Sequence, residues 1–420
     1  MKIYIPVFAF FLISSCSTPE SSESYTFQVS EPAAYGLDQE EIAEIENHLQ
    51  RAIDSTNIAG VVALVVKEDK IIYHKAFGFS DRAKTSPMKT NNIFRLASMT
   101  KPITSTAVMQ LVEQGKIGLN DPVSKYIPEF SDTRVIDTFD KTDSSYTTKP
   151  LARPLTIHHL LTHTSGIPYA VFNPIAGKIY PQFGFVEAWT KDPITLAENI
   201  PKQGKAPLLH QPGEKWTYGT GIDVLGYIVE IVSGMPLDKY FEENIFKPLG
   251  MIDTYFYLPD DKADRLVEVW FKSDADESPD ELSPVDYPIA GAKTYFPGGA
   301  GLVGTALDYA KFATAIKDRG VFGDSRILMP STVAKMLNNQ IDTLRRGGGE
   351  AFGYGGSVLV QDDGSKNAGR WGWGGYWQTF FSIDPQNDLV IILMTNAFGN
   401  TKWGQIVNGY DSMVVQGIED

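Results

Sequence analysis

The 420-residue chain contains one cysteine, Cys16, which excludes an internal disulfide and any metal site built from several thiolates. Its histidines, His48, His74, His158, His159, His163 and His210, form no H-E-x-x-H pair, so the zinc-hydrolase pattern is missing and no metal is called for. Long basic runs are lacking too, and the formal net charge is -14. That balance argues against nucleic acid as a partner and for a well-hydrated acidic surface. No internal repeat is visible, and the only low-complexity stretch is close to the N-terminus. What is plentiful is apolar: 43% hydrophobic against 21% charged residues suits a globular protein with a large core.

The N-terminus has its own pattern. Lys2 precedes an apolar stretch from Ile3 to Ile13, followed by Ser14-Ser15-Cys16-Ser17. The stretch is too short to cross a bilayer as a mature helix but suits the core of a signal peptide. It resembles a bacterial lipoprotein signal, with Ile13 where leucine is more usual. The resemblance implies cleavage before Cys16, acylation of its thiol, and a lipid anchor at the cell envelope on the periplasmic side. On that reading residues 1–15 are the signal, 16–30 the lipidated tether and 31–418 the catalytic domain. An ordinary secretory peptide with an incidental cysteine is the other reading.

Periodicity predicts an amphipathic helix over Leu37 to Asp54, with Ile42, Ile45, Leu49 and Ile53 on one stripe. A hairpin follows, Gly60 to Val66 and Ile71 to His74 around the turn Lys67-Glu68-Asp69-Lys70. Further helical signals lie at Ile157 to Leu161, Ile222 to Val232 and Leu237 to Phe246. Asp132 to Pro154 reads as a long polar loop. Strands return at Phe380 to Ile383 and Leu389 to Met394, and a last helix runs from about Lys402 to Val415. Strands at both ends enclosing a helical middle predict one α/β (α+β) unit. Its antiparallel sheet, flanked by helices, comes from about 37–101 and 271–418, with a mostly helical insertion over about 102–270. The cleft between the two is the natural place for a ligand.

Ser98 and Lys101 stand three residues apart at the mouth of a predicted helix whose apolar stripe is Thr104, Val108, Leu111 and Val112. An amine in that position can take a proton from the hydroxyl and turn serine into a nucleophile without a histidine. Ser86 and Lys89 share the spacing, but their polar, Pro87-containing surroundings read as a solvated turn. Equally, Ser98 could be no more than a helix cap. Acyl transfer also needs a second proton carrier and two donors for an oxyanion. The Gly/Pro-containing loop Gln211 to Gly221 presents Tyr218, a phenol that could exchange protons with Ser98 or simply pack. Gly372-Trp373-Gly374-Gly375-Tyr376-Trp377 enters a predicted strand, where glycines let backbone N–H groups approach a ligand, or form a bulge over core tryptophans. The Ser98 N–H, at the positive end of its helix, is a further donor.

Together these segments resemble the serine β-lactamase and penicillin-binding-protein superfamily, nearest to the class C β-lactamase-like hydrolases that include family VIII carboxylesterases. The likeness extends from about Leu37 to Asn396 and takes in Leu160 to Gly166, Ile245 to Thr254 and Gly299 to Tyr309. It implies Ser98 as the acylated nucleophile, Lys101 with Tyr218 as the proton-handling pair, and Tyr376 N–H beside Ser98 N–H in the oxyanion hole, with Gly375 and Trp373 at the substrate. His163 matches a structural stretch and receives no catalytic role. No cofactor is implied.

Two departures bear on substrate. Trp373-Gly374-Gly375 stands where penicillin-processing members carry Lys-Thr-Gly, a motif absent from the chain. Losing that cation removes a carboxylate contact of about 1.5–3 kcal/mol, while an indole offers apolar area. Gly219-Thr220 stands where class C enzymes carry Ser-Asn, and Thr220 could replace only part of that hydrogen bonding. The expectation is a serine hydrolase acting on small-molecule esters. A β-lactamase or D-Ala-D-Ala carboxypeptidase acting on an amide, an acyltransferase, and a non-catalytic module binding cell-wall fragments are the alternatives.

Overall fold

The computed structural model describes Met1 and residues 25–56, 58–271, 285–344, 346, 350–361 and 367–419. Cys16, residues 2–15 of the signal and most of the tether lie outside them. The predicted first helix forms over Gln39–Ser55. Asp38 caps it by accepting the Glu40 and Glu41 N–H groups, and the Glu41 side chain returns the bond to the Asp38 amide. The hairpin predicted after it forms from Gly60–Lys67 and Lys70–Gly78.

Among the described residues eight strands make the main sheet. Their order is Gln28–Val29, Lys70–Gly78, Gly60–Lys67, Leu389–Met394, Thr379–Asp384, Trp371–Gly375, Ser357–Leu359 and Glu350–Phe352. Only the first pair is parallel; the rest are antiparallel. Residues 61–66 and Leu389–Met394, at the centre, are apolar at every position because both faces are covered. Val61, Ala63 and Val65 meet Ile45, Leu49 and the C-terminal helix residues Tyr410 and Val414. Val62, Leu64 and Val66 face the other way, into the core of Met99, Ile103, Tyr309 and Phe312. Leu389–Met394 alternates in the same manner, with Ile391 and Leu393 on the first face and Val390 and Ile392 on the second.

The middle of the chain is carried on that second face. Its Thr100–Glu113 helix packs against the Gly221–Ser233 helix. One expectation is corrected here. Residues 132–154, read as a long loop, are mostly a two-stranded ribbon of Arg134–Phe139 and Tyr146–Pro150. Its threonines are exposed and pair across the strands, as Thr138 with Thr147 at 2.7 Å, so no apolar alternation announced it. The ribbon has a positional consequence. Ile136 N–H donates to Leu208 O and Leu208 N–H to Arg134 O, which ties down the approach to the Tyr218 loop.

Leu64 is fully buried in a central strand. Leu64→Ala should destabilise the chain by about 2–5 kcal/mol, read as a lower guanidinium midpoint; an unchanged midpoint would contradict this packing.

Candidate active site

Ser98 is delivered by a strand, a corner and a helix. Phe94–Arg95 pairs with Val303–Gly304, and Leu96 N–H donates to Leu302 O. The chain then turns sharply at Ala97, a fully buried non-glycine residue at φ 46°, a sterically costly conformation that surrounding contacts must enforce. Those contacts are present: Arg95 N–H donates to Asn396 Oδ1 at 3.0 Å, and its buried guanidinium reaches Val267 O and Val285 O. Ala97–Met99 forms one tight turn leading into the Thr100–Glu113 helix, and the Ser98 side chain makes no capping bond there. The cap reading is therefore wrong: the Ser98 hydroxyl faces the cavity.

Lys101, one turn on, has no exposed surface. Its ammonium donates to Ser98 Oγ at 3.1 Å, Tyr169 Oη at 3.1 Å and Gly299 O at 2.7 Å. Tyr218 O–H donates to Ser98 Oγ at 2.6 Å, and the Lys101 nitrogen lies 4.8 Å from the Tyr218 ring centre. The three predicted residues thus meet around one hydroxyl. Tyr169, three residues past the Leu160 to Gly166 stretch, is a site residue that the motifs did not include; burial keeps its phenol protonated, pushing the pKa well above the usual value.

His163 accounts for the placement of Tyr218. It is fully buried at φ 56°. Its carbonyl accepts Thr217 N–H at 2.7 Å, its Nδ1 accepts Gly219 N–H at 3.4 Å, and its ring packs 4.8 Å from the Tyr218 ring. Desolvation, aided by the Lys101 charge, holds the imidazole well below its ordinary pKa and hence neutral. Thr220 does not reach the site: it is buried and bonded to the Gln203 amide. The hydrogen bonding expected of it toward a substrate is ruled out by that inward orientation. Gly299, whose carbonyl receives Lys101, also donates its N–H to Asp223 Oδ1 at 2.9 Å. Burial pushes the Asp223 carboxyl up to about 6, against the pull of Lys101 and of that N–H.

A cavity of about 620 Å³ opens over Ser98, lined by Tyr169, Val171, Phe172, Glu187, Ala188, Trp189, Trp216, Tyr218, Ala300, Arg346, Trp373, Gly374 and Tyr376. Trp373 and Tyr376 are at the wall, as predicted. Gly375 is behind it: a Cβ there would sit 2.4 Å from Leu96 O and 2.2 Å from Thr379 Oγ1. Its glycine lets the strand end press against the Ser98 segment rather than touch a ligand. Tyr376 lies in the tight connection closed by Gln378 N–H to Gly375 O at 2.9 Å, with Gln378 at φ 63°. Trp189 is held by its Nε1–H on Ala300 O at 2.8 Å and stacks with Tyr287 and Trp377. Glu187, also in the lining, accepts Ala170 N–H, and burial pushes its carboxyl up to about 7.

A cation does stand beside the glycine-rich strand, contrary to the expected loss. The Arg346 guanidinium lies 4.7 Å from the Trp373 ring centre and is ion-paired with Glu350. Among the described residues the one grouping of three carboxylates, Asp69, Asp318 and Asp388, surrounds the Lys317 ammonium and lies elsewhere.

The family profile described as Beta-lactamase matches residues 45–410. The chain belongs to the beta-lactamase family. It is 32% identical over 385 residues to Esterase EstB of Burkholderia gladioli, covering 87% of this chain and 93% of that protein. It is 28% identical over 379 residues to the Lovastatin esterase of Penicillium rubens, covering 82% and 90%. Among solved structures, EstCE1, "a hydrolase with promiscuous acyltransferase activity", superposes with a TM-score of 0.76 at 29% identity, covering 91% of this chain and 99% of that one. The family match extends across both the sheet and the helical middle, so the Ser98 corner and the Tyr218 loop both fall within it.

Gly375→Ala should push the strand end away from Leu96 and slow labelling of Ser98 by a fluorophosphonate about tenfold or more, with the fold retained by circular dichroism. Labelling at the wild-type rate would show that the close approach does not matter.

Proposed function

We propose that the protein is a serine hydrolase that cleaves carboxylic esters through an acyl-Ser98 intermediate. The observation that carries this reading is the convergence of Lys101 and Tyr218 on the Ser98 oxygen at the floor of an aromatic cavity. Once the Lys101–Tyr218 pair, a coupled unit rather than a single base, has given up one proton, Ser98 Oγ attacks the ester carbonyl and its own proton passes to the pair. The carbonyl oxygen, now anionic, is taken by the Ser98 and Tyr376 N–H groups. The pair returns the proton to the departing alcohol. Water then repeats the sequence in reverse, releasing the acid and restoring Ser98.

The walls favour an apolar ester. Phe172, Trp189, Trp216, Trp373 and Tyr376 supply ring surface, and the Arg346 charge is offset by Glu350. The esterase names of two relatives support the same class. An alcohol in place of water would make the reaction an acyl transfer, which the description of EstCE1 supports as a second reading.

Ser98→Ala should abolish turnover of p-nitrophenyl butyrate, and Lys101→Ala or Tyr218→Phe should each lower kcat by about 10²–10⁴-fold. Near-wild-type kinetics for any of the three would remove that residue from the mechanism. Nitrocefin turnover well above ester turnover would instead favour the β-lactamase reading, and no turnover on a broad ester and amide panel the binding module.

We also propose the Cys16 thiol as the point of acylation and membrane attachment, on the strength of the signal-like sequence before it. Radiolabelled palmitate should enter the protein made in bacteria and be lost in Cys16→Ser; incorporation that survives the substitution would refute this.

A further inference from the structure

The first turn of the Gly221–Ser233 helix delivers a second group to the Ser98 site besides Tyr218. Asp223 is 2% exposed, and its carboxylate is aimed at the N–H of Gly299, the residue whose carbonyl receives Lys101. Oδ1 accepts Gly299 N–H at 2.9 Å, and the carbonyl of the same residue accepts the Lys101 ammonium at 2.7 Å. Residue 299 is fitted to this contact: a Cβ there would lie 2.6 Å from Asp223 Oδ2. That second oxygen is buried with no hydrogen-bond partner among the described residues. An anion so placed has one cation to answer it across Gly299, and structural bonding alone does not call for a charge there.

We infer that Asp223 is a positioning residue for the reaction: by fixing the Gly299 backbone, its carboxylate holds the Lys101 amine in place, and by its charge it sets the proton affinity of the Lys101–Tyr218 pair. This rests on the acyl-Ser98 reading above. The other titratable or charged groups facing Lys101 and Asp223 are Tyr218, Tyr169, Tyr295, His163, Glu187 and Arg346. Burial keeps Tyr169, Tyr295 and His163 neutral. Glu187 binds the Ala170 amide and Arg346 is paired with Glu350. Asp223 is therefore the anion tied to Lys101 through one residue, Gly299, whose N–H it accepts and whose carbonyl accepts the ammonium. The sign of its effect does not depend on which member of the pair holds the proton. A negative charge raises the proton affinity of every group it faces, so removing it must let the pair deprotonate at lower pH.

The test is the pH dependence of Ser98 phosphonylation by a fluorophosphonate, in which Oγ–P forms, fluoride leaves and the hydroxyl proton passes to the pair. Asp223→Asn keeps an oxygen that can accept Gly299 N–H but removes the charge. The acid limb of its rate profile should move about one pH unit or more to lower pH, with an unchanged melting temperature. A limb that stays in place or moves upward would overturn the inference. Should the Asn variant fail to fold, Asp223→Ser removes the same charge and is read in the same way; failure of both to fold would assign Asp223 to folding alone and overturn it too. Because the probe reports the Ser98 oxygen directly, an enzyme that is phosphonylated normally but hydrolyses no ester would sink the substrate reading while leaving this limb to be measured.

Discussion

An ammonium group with no exposed surface can persist only if its N–H bonds are taken by acceptors, because a buried unpaired charge costs several kcal/mol or more. Lys101 meets that requirement with three acceptors drawn from three places in the sequence: Ser98 on its own turn, Tyr169 on the connecting segment, and the Gly299 backbone. Each must be in place for the others to suffice. The approach of the 163–169 stretch, the close passage of the 297–302 stretch and the corner at Ala97 are all consequences of housing that one cation beside a hydroxyl.

The large sheet provides the rigidity for this arrangement. Its central strands are apolar on both faces and covered by helices on both, so their register cannot slip without moving an entire apolar set. From that base the Trp371–Gly375 strand presses on Leu96 while Asn396, just past the Leu389–Met394 strand, holds the Arg95 backbone. Two strand ends thus bracket the Ser98 turn from the sheet side, and the Gly221–Ser233 helix start closes it from the other. A strained Ala97 survives because these contacts over-determine it.

How much of this was legible in the sequence follows from how local each feature is. Ser98 with Lys101 is a spacing of three residues at a helix start, and the Tyr218 and Trp373 to Tyr376 segments are short runs with distinctive glycines; all could be read without a fold. The apolar runs from Gly60 and Leu389 disclosed the central strands for the same reason. Tyr169 and Asp223 were not legible, since each matters through a bond to Lys101 or to the Gly299 backbone, a partner distant in sequence. Arg346 escaped notice because nothing in its neighbourhood marks it; only the folded chain sets it over Trp373. The threonine-rich ribbon was mistaken for a loop because its strands gain their order from cross-strand hydroxyl pairs and from Leu208, not from an apolar period.

Three of the seven tryptophans, Trp189, Trp216 and Trp373, line the cavity over Ser98. Indole emission is sensitive to the polarity and to the quenchers around it, and these three indoles sit where a ligand would lie. Filling of the cavity should therefore change the emission, so that occupancy can be sought by light alone, without attaching a dye.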